Sequence, residues 1–527
     1  MPPETAAPRP PFLWGVATSS YQVEGGYNEG GLPHNNWAWP ERANRVVPTG
    51  AGSRFWDFYE ADLDRCQSLG LNALRLGIEW ARVQPVTTLP SMPEHPERVA
   101  FDEAALDRYA DLLAACRVRG LEPMLTWHHF VHPAWLGRDA WLEPGTPQAF
   151  AAYVRTAWRG LLERCRDRGI EPPRRHLTLN EPNALMACTY LLPIFPSGLR
   201  PSPHRAGTCL AHLLEAHLLA YRALHDLAGE YGQTVEVSTN FYASDLYWLH
   251  QGLLDTLRLG QLNSDPAAAY LFLRRRERAY RQRLREAGLR PRTLRQRFAG
   301  HHIRHWQYRM ARSIYHHPDM GRMLRQLCAL PRPPLDFAAL DYYDPLAGNL
   351  LRSPSWADYE ARPRRWRDWL LEAFLSKWWD WECRPEGLGF FVREAAAAGL
   401  PVYLTENGMA YRQPVGQPAW PRDDGISRSQ YLHLMTEQVR ELVRAGVDLR
   451  GYFHWSLIDN YEWGTFSARF GLYQVDFSRP ERPRSEVDAF GDRPARTYRQ
   501  IIAEARAETG EPAAPPKVTP FPDAATG

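Results

Sequence analysis

No stretch of this 527-residue chain is apolar for long enough to cross a bilayer, so the sequence predicts no membrane span. The opening MPPETAAPRPPFLWG has no basic segment ahead of an apolar one, and no signal peptide is expected. Cysteine is sparse: Cys66, Cys116, Cys165, Cys188, Cys209, Cys328 and Cys383 are scattered, odd in number and free of any CxxC pair. That pattern suggests neither a disulfide framework nor a zinc site, and reduced thiols in a cytoplasm are the simplest expectation. Neither sign of charge is in excess, with a formal net charge of +3. A near-neutral chain gives no global case for nucleic acid or an acidic partner. No His, Asp or Cys cluster has ligand spacing, so no metal or organic cofactor is expected. No internal repeat is visible.

What is present is an alternation of two patterns. Eight short apolar or β-rich runs recur: FLWGVAT (12–18), LNALRLGIEW (71–80), EPMLTWHHF (122–130), HLTLNEP (176–182), VEVSTNFY (235–242), LDFAALDYY (335–343), PVYLTENG (401–408) and LRGYFHWSLID (449–459). Helix-like segments separate most of them. Asp102 to Arg119 is stopped by Gly120, Pro147 to Arg168 by Gly169, and Ser429 to Ala445 by Gly446; His212 to Ala228 also fits. Strands alternating with amphipathic helices predict a parallel sheet. Eight such pairs predict a single α/β domain, a (β/α)8 TIM barrel with long βα loops, over residues 11–507. Residues 1–10 and 508–527 are Pro/Ala-rich and expected to be disordered tails.

One segment breaks the pattern. Residues 271–312 are arginine-dense and lie between the fifth and sixth strand candidates. A run like this is ordinarily a solvated helical insertion; its functional reading is a surface that meets anionic lipid head groups or another subunit.

In such a barrel the chemistry sits at the C-terminal ends of the strands. Glu181, in Asn180-Glu181-Pro182, ends the fourth run, and Glu406, in Thr405-Glu406-Asn407-Gly408, ends the seventh. Two carboxyls converging on one pocket are the minimum equipment for glycoside hydrolysis: one protonates the leaving oxygen, the other attacks or activates water. Like charges in one pocket push the two acidities apart, which divides the labour. Either motif alone reads equally well as a turn closing a strand.

The motifs do not stand alone. FLWGVATSSYQVEGG, RLGIEWARVQP, TWHHF, TLNEP, DYY, WECRPEGL, TENG and GYFHWSLIDNYEWGTFSARFGLYQVDF, in that order, resemble the family 1 glycoside hydrolases, the β-glucosidase-like group. The resemblance implies a (β/α)8 barrel that cleaves β-glycosides with retention, with Glu181 as acid/base and Glu406 as nucleophile. It also implies that Arg75 and Tyr343 hold the nucleophile and that Asn180 meets a sugar hydroxyl. Gln22 is similar to the residue that reads the 3- and 4-hydroxyls, His129 to a partner for the 3-hydroxyl, Glu462 and Trp463 to the pair at the 4- and 6-hydroxyls, and Trp455 to the platform under the ring. Trp378 and Trp379 line the aglycone entrance or pack as core.

The sequence departs from the family pattern at Val131 and His132, at Pro193, in the basic insertion, and at Asp341, where the family usually has Asn. A third carboxyl at Asp341 disfavours ionisation of Glu406 unless Arg75 neutralises it. The resemblance implies a small β-glucoside, β-galactoside or β-fucoside as substrate, or an oligosaccharide. The Glu462-Trp463 pair argues against a 6-phospho sugar, since a carboxylate there repels phosphate. The alternatives are a transglycosylase passing the sugar to an alcohol or glycolipid, and a carbohydrate-binding relative without activity.

Overall fold

A computed structural model describes residues 10–86, 99–352 and 374–510. Of the two expected tails, residues 1–9 and 511–527 lie outside the described residues. The boundary at 507 moves: Glu508 and Thr509 complete the last helix, Pro494–Thr509, whose Tyr498, Ile501 and Ile502 are buried.

The eight predicted runs form eight parallel strands: β1 (Leu13–Ala17), β2 (Ala73–Gly77), β3 (Glu122–Thr126), β4 (Arg175–Leu177), β5, β6 (Ala338–Tyr342), β7 (Val402–Asn407) and β8 (Leu449–Trp455). β5 is interrupted at Thr239 into Glu236–Ser238, which pairs with β4, and Asn240–Tyr242, which pairs with β6. Since β1 pairs with both β2 and β8, the eight strands close into a ring. Both faces of most strands are buried, which is why the runs read as apolar rather than alternating.

The two faces bury against different things. Trp14 and Val16 of β1 point out toward the helices, while Leu13 and Ala17 join a small second core inside the ring with Ala73, Met124, Leu177, Ala339, Tyr403, Phe453 and Trp455. Small and large residues complement one another there. Gly15 also faces this lumen: a Cβ on it would meet the Phe453 ring at 2.5 Å. Toward the C-terminal ends the inward positions change from Ala73 to Arg75 and from Ala339 to Asp341, so the lumen passes from packed core to polar floor within one strand length.

The helices stop where their caps dictate. Asp102 accepts from the Ala105 amide and starts Glu103–Val118; Ser427 and Gln430 form a capping box at Arg428–Arg444. The segment expected over His212 to Ala228 runs instead from Pro203 to Glu230, because proline is tolerated in a first helical turn. The basic insertion is two helices, Ala269–Glu286 and Leu294–Tyr315.

Candidate active site

A strict two-residue alternation along β7 would turn Glu406 to the same side as Leu404, toward the helices. It does not point there, because the strand carries an extra residue. Leu340 pairs with Leu404 but Asp341 with Glu406, and on the other side Tyr452 pairs with Leu404 but His454 with Asn407. This bulge at Thr405-Glu406 turns Glu406 inward beside Asp341 and sends Asn407 outward, where its amide oxygen accepts from Tyr452 and its amide nitrogen donates to Tyr431. Gly408 follows because a Cβ there would collide with the Trp455 carbonyl.

Both oxygens of Glu406 are held by donors. The Arg75 guanidinium reaches Oε1 at 2.5 Å and the Tyr343 hydroxyl reaches Oε2 at 2.8 Å. Arg75 is itself fully buried and fixed by the Thr126 hydroxyl, the Thr405 carbonyl and the Asn180 side-chain oxygen. Arg75 and Tyr343 thus flank Glu406, one at each carboxyl oxygen.

Glu181 arrives differently. β4 ends at Leu177, four residues earlier than the sequence suggested, and Glu181 caps the short helix Pro182–Met186 in a left-handed conformation, φ 40°. One carboxyl oxygen from each of Glu181, Asp341 and Glu406 lies within 4.8 Å of the others. Asp341 therefore does point into the pocket. It accepts from the Thr405 hydroxyl at 2.6 Å and from the Asn240 amide, and lies 3.8 Å from Arg75. Asn240 also donates to Asn180 at 2.7 Å, and the Asn180 amide donates to His129 Nε2 at 3.2 Å.

The electrostatics follow from this arrangement. Burial raises Glu181 well above the usual carboxylate range, and the Asp341 and Glu406 charges push it further. Burial and Asp341 also raise Glu406, but Arg75 and Tyr343 oppose that rise directly at its oxygens. Asp341 is raised by burial and drawn back by Arg75, Thr405, Glu181 and Asn240. Asp341 thus accepts hydrogen bonds from every partner, Glu406 accepts from two donors, and Glu181 is the group left to carry a proton. These carboxyls are also the one set of ligand-type side chains, among the described residues, close enough to hold an ion. Arg75 already takes the cationic place between Asp341 and Glu406.

The other sequence-selected residues form the adjoining wall. Trp455 donates its indole N–H to Glu462 Oε1 at 3.0 Å. Burial pushes the Glu462 carboxyl up to about 8, against Trp455, Gln22 and Asn460, which draw it down. Gln22 donates to Asn460 and to the Tyr461 carbonyl, which leaves its side-chain oxygen without a partner. His129 is stacked between Trp455 and Trp463, with ring centroids 5.8 and 5.7 Å away; burial keeps it neutral, and its Nδ1 is unpartnered. Unpartnered buried polar atoms beside an indole face fit a ligand that brings its own hydroxyl groups.

Several contributors were not selected from sequence. Trp381 packs on Tyr343 at 4.9 Å and so braces the phenol that holds Glu406. Asn240 and Thr405 fix Asp341; their signal was their place at strand ends, shared with many polar residues that do nothing comparable. Trp378 and Trp379 are half-buried against the lumen core. Val131 and His132 are interior, His132 meeting the Gly137 carbonyl, whereas Pro193 is exposed.

Eight parallel strands closed around clustered carboxyls, one of them held by two donors, beside an indole-walled recess, are the frame of a barrel glycoside hydrolase. The sequence places the chain within that class: residues 6–504 match the model of glycosyl hydrolase family 1, and the chain belongs to that family. It is 27% identical over 480 residues to beta-glucosidase A of Thermotoga maritima, covering 89% of this chain and 94% of that protein. It is 28% identical over 513 residues to a bifunctional beta-D-glucosidase/beta-D-fucosidase of Bifidobacterium breve, covering 94% and 97%. The fold matches a beta-glucosidase from Thermotoga maritima in complex with azafagomine, with a TM-score of 0.65, 20% identity and coverage of 94% and 98%.

Proposed function

We propose that this glycoside hydrolase cleaves small β-glycosides of unphosphorylated sugars with retention, Glu406 acting as nucleophile and Glu181 as acid/base. Glu406 attacks the anomeric carbon as Glu181 protonates the departing oxygen, which gives a glycosyl ester on Glu406 and a free alcohol. Glu181, now ionised, takes a proton from water, and that water displaces Glu406 and restores both carboxyls. The carboxyl oxygens within 4.8 Å of one another suit direct attack rather than an interposed water. Trp455 provides the platform, and Gln22, His129, Asn180, Glu462 and Trp463 provide partners for the ring hydroxyls.

The observation that carries the assignment is the asymmetry of partners: two donors on Glu406, a carboxylate beside Glu181. The names of the relatives, a beta-glucosidase and a beta-D-glucosidase/beta-D-fucosidase, support an unphosphorylated hexoside. A cytoplasmic location is part of the reading, supported by seven cysteines that are all free. Among the described residues no helix is long and apolar enough to cross a membrane.

The test is Glu406→Gly assayed on an aryl β-glycoside with and without azide. The variant should be inactive alone and should yield the α-glycosyl azide when azide is added. A β-configured product, or rescue at Glu181→Gly with inversion instead, would reverse the assignment.

A further inference from the structure

The insertion between β5 and β6 takes no part in the chemistry above. Residues 269–315 carry fourteen arginines against two glutamates. Some are neutralised at the surface, such as Arg276 by Asp255 at 2.7 Å and Arg283 by Glu394 at 2.6 Å. Five others, Arg281, Arg285, Arg290, Arg297 and Arg304, converge on a cavity of about 490 Å³ whose single carboxylate is Asp245. Asp245 offsets one of the five: its Oδ2 stands 3.8 Å from Arg304, while its Oδ1 accepts from the Ala347 amide at 2.8 Å. Arg297 reaches a backbone carbonyl, and Arg281 meets the Tyr308 hydroxyl and lies 3.6 Å from Glu277, which leaves the cavity with more arginines than carboxylates. Like charges gathered in one recess raise the local anion concentration and favour a multiply charged anionic group.

A second feature adjoins the cavity. On the helix Leu294–Tyr315, Leu294 is 82% exposed and Phe298 69%, one turn apart on one face, and Trp306 continues the stripe two turns later. The opposite face buries Ala299, Gly300, Ala311 and Ile314. A free anion would need the arginines but not an exposed Leu and Phe beside them. A basic helix tip that also presents large apolar side chains has the makeup of an interfacial element. The tip stands on the catalytic side of the barrel: Gly348, just beyond β6, packs on the Gln296 backbone, and the Gln296 side chain bonds to Glu382, next to Trp381.

We propose that this insertion docks the enzyme on an anionic phospholipid surface. The arginine cavity receives head-group phosphates, and Leu294 and Phe298 enter the boundary between head groups and acyl chains. The charge complementarity supplies the choice of lipid, and the apolar stripe supplies the depth.

Co-sedimentation of the full chain with vesicles tests this. Vesicles of phosphatidylcholine with phosphatidylglycerol should carry the enzyme down, phosphatidylcholine alone should not, and added salt should release it. Replacing Arg285, Arg290 and Arg297 by Gln should weaken binding by about fivefold per arginine, on the order of 100-fold together. Leu294→Ser with Phe298→Ser should weaken it at least tenfold, through loss of apolar contact with the acyl chains. Both variants should hydrolyse an aryl glycoside like the parent, which reports an intact fold. Equal binding to neutral vesicles, or no binding to either kind by the unaltered enzyme, overturns the proposal. So does an unchanged vesicle affinity in the Leu294/Phe298 variant accompanied by binding of free glycerol phosphate, which would mark a small-anion site.

Discussion

Asp341→Asn should slide the whole pH–activity bell toward acid. Asp341 is fully buried, and its oxygens lie within 4.8 Å of both Glu181 and Glu406. A unit charge at up to 4.8 Å is worth about 3.5 kcal/mol at an effective dielectric near 20. Arg75, 3.8 Å from Asp341, offsets part of this, which leaves an expected displacement of about one to two pH units. The sign is the same for both limbs. With Glu406 as the proposed nucleophile and Glu181 as the proposed acid, the acid limb reports ionisation of the first and the alkaline limb deprotonation of the second, and the Asp341 charge raises both groups. The change is isosteric. Thr405 can turn its hydroxyl to the Leu340 carbonyl, 3.3 Å away, and accept from the new amide, while Asn240 goes on donating to the remaining oxygen. The assay is kcat/KM against pH for an alkyl glycoside, whose poor leaving group makes the alkaline limb visible. Limbs that stay in place would mean that Asp341 holds a proton of its own, and a shift toward alkali would overturn the charge assignment altogether.

Tyr343→Phe removes one donor from Glu406 and should do the opposite at the acid limb, moving it toward alkali and lowering kcat/KM by about 10- to 100-fold, as for a lost hydrogen bond to a charge. Glu181→Ala should cripple alkyl glycosides far more than nitrophenyl glycosides, because only the former need protonation on departure; equal losses on both would remove Glu181 from the acid role. Glu462→Gln should stabilise the fold while impairing turnover. Burial raises the folded-state pKa of Glu462 from 4.5 to about 8, so the folded form loses stability as pH rises through that window and regains it toward acid. The variant's gain in unfolding free energy should therefore be absent below about pH 4.5 and grow to a few kcal/mol by about pH 8, and a gain that is independent of pH would refute the burial account.

The eight apolar runs were legible because each strand is covered on both faces, and the helix ends at Asp102, Gly120 and Gly446 were legible because those residues act on their own neighbours; the cap at Ser427 lies two residues ahead of the expected start at Ser429. Those are short-range causes, written within a few residues of their effects. Helix Pro203–Glu230 was underestimated because a proline permissible in a first turn also looks like a break. The identities of Glu181 and Glu406, and of the residues expected around them, came from motif order over nearly the whole chain rather than from any single motif.

The direction in which Glu406 points was not written locally. Alternation alone would send it outward, and the bulge that turns it inward is a mismatch of register with β6 and β8, visible only when three strands are paired. The charge balance was out of reach for the same reason: Arg75 meets Glu406 across 331 positions of chain, and Asp341 meets Asn240 across 101. Sequence determined which side chains this protein has for its chemistry and on which strands they ride. Tertiary structure decided which way they face and which of them keeps a proton, because both depend on distances between segments remote along the chain and on the exclusion of water from the space they share.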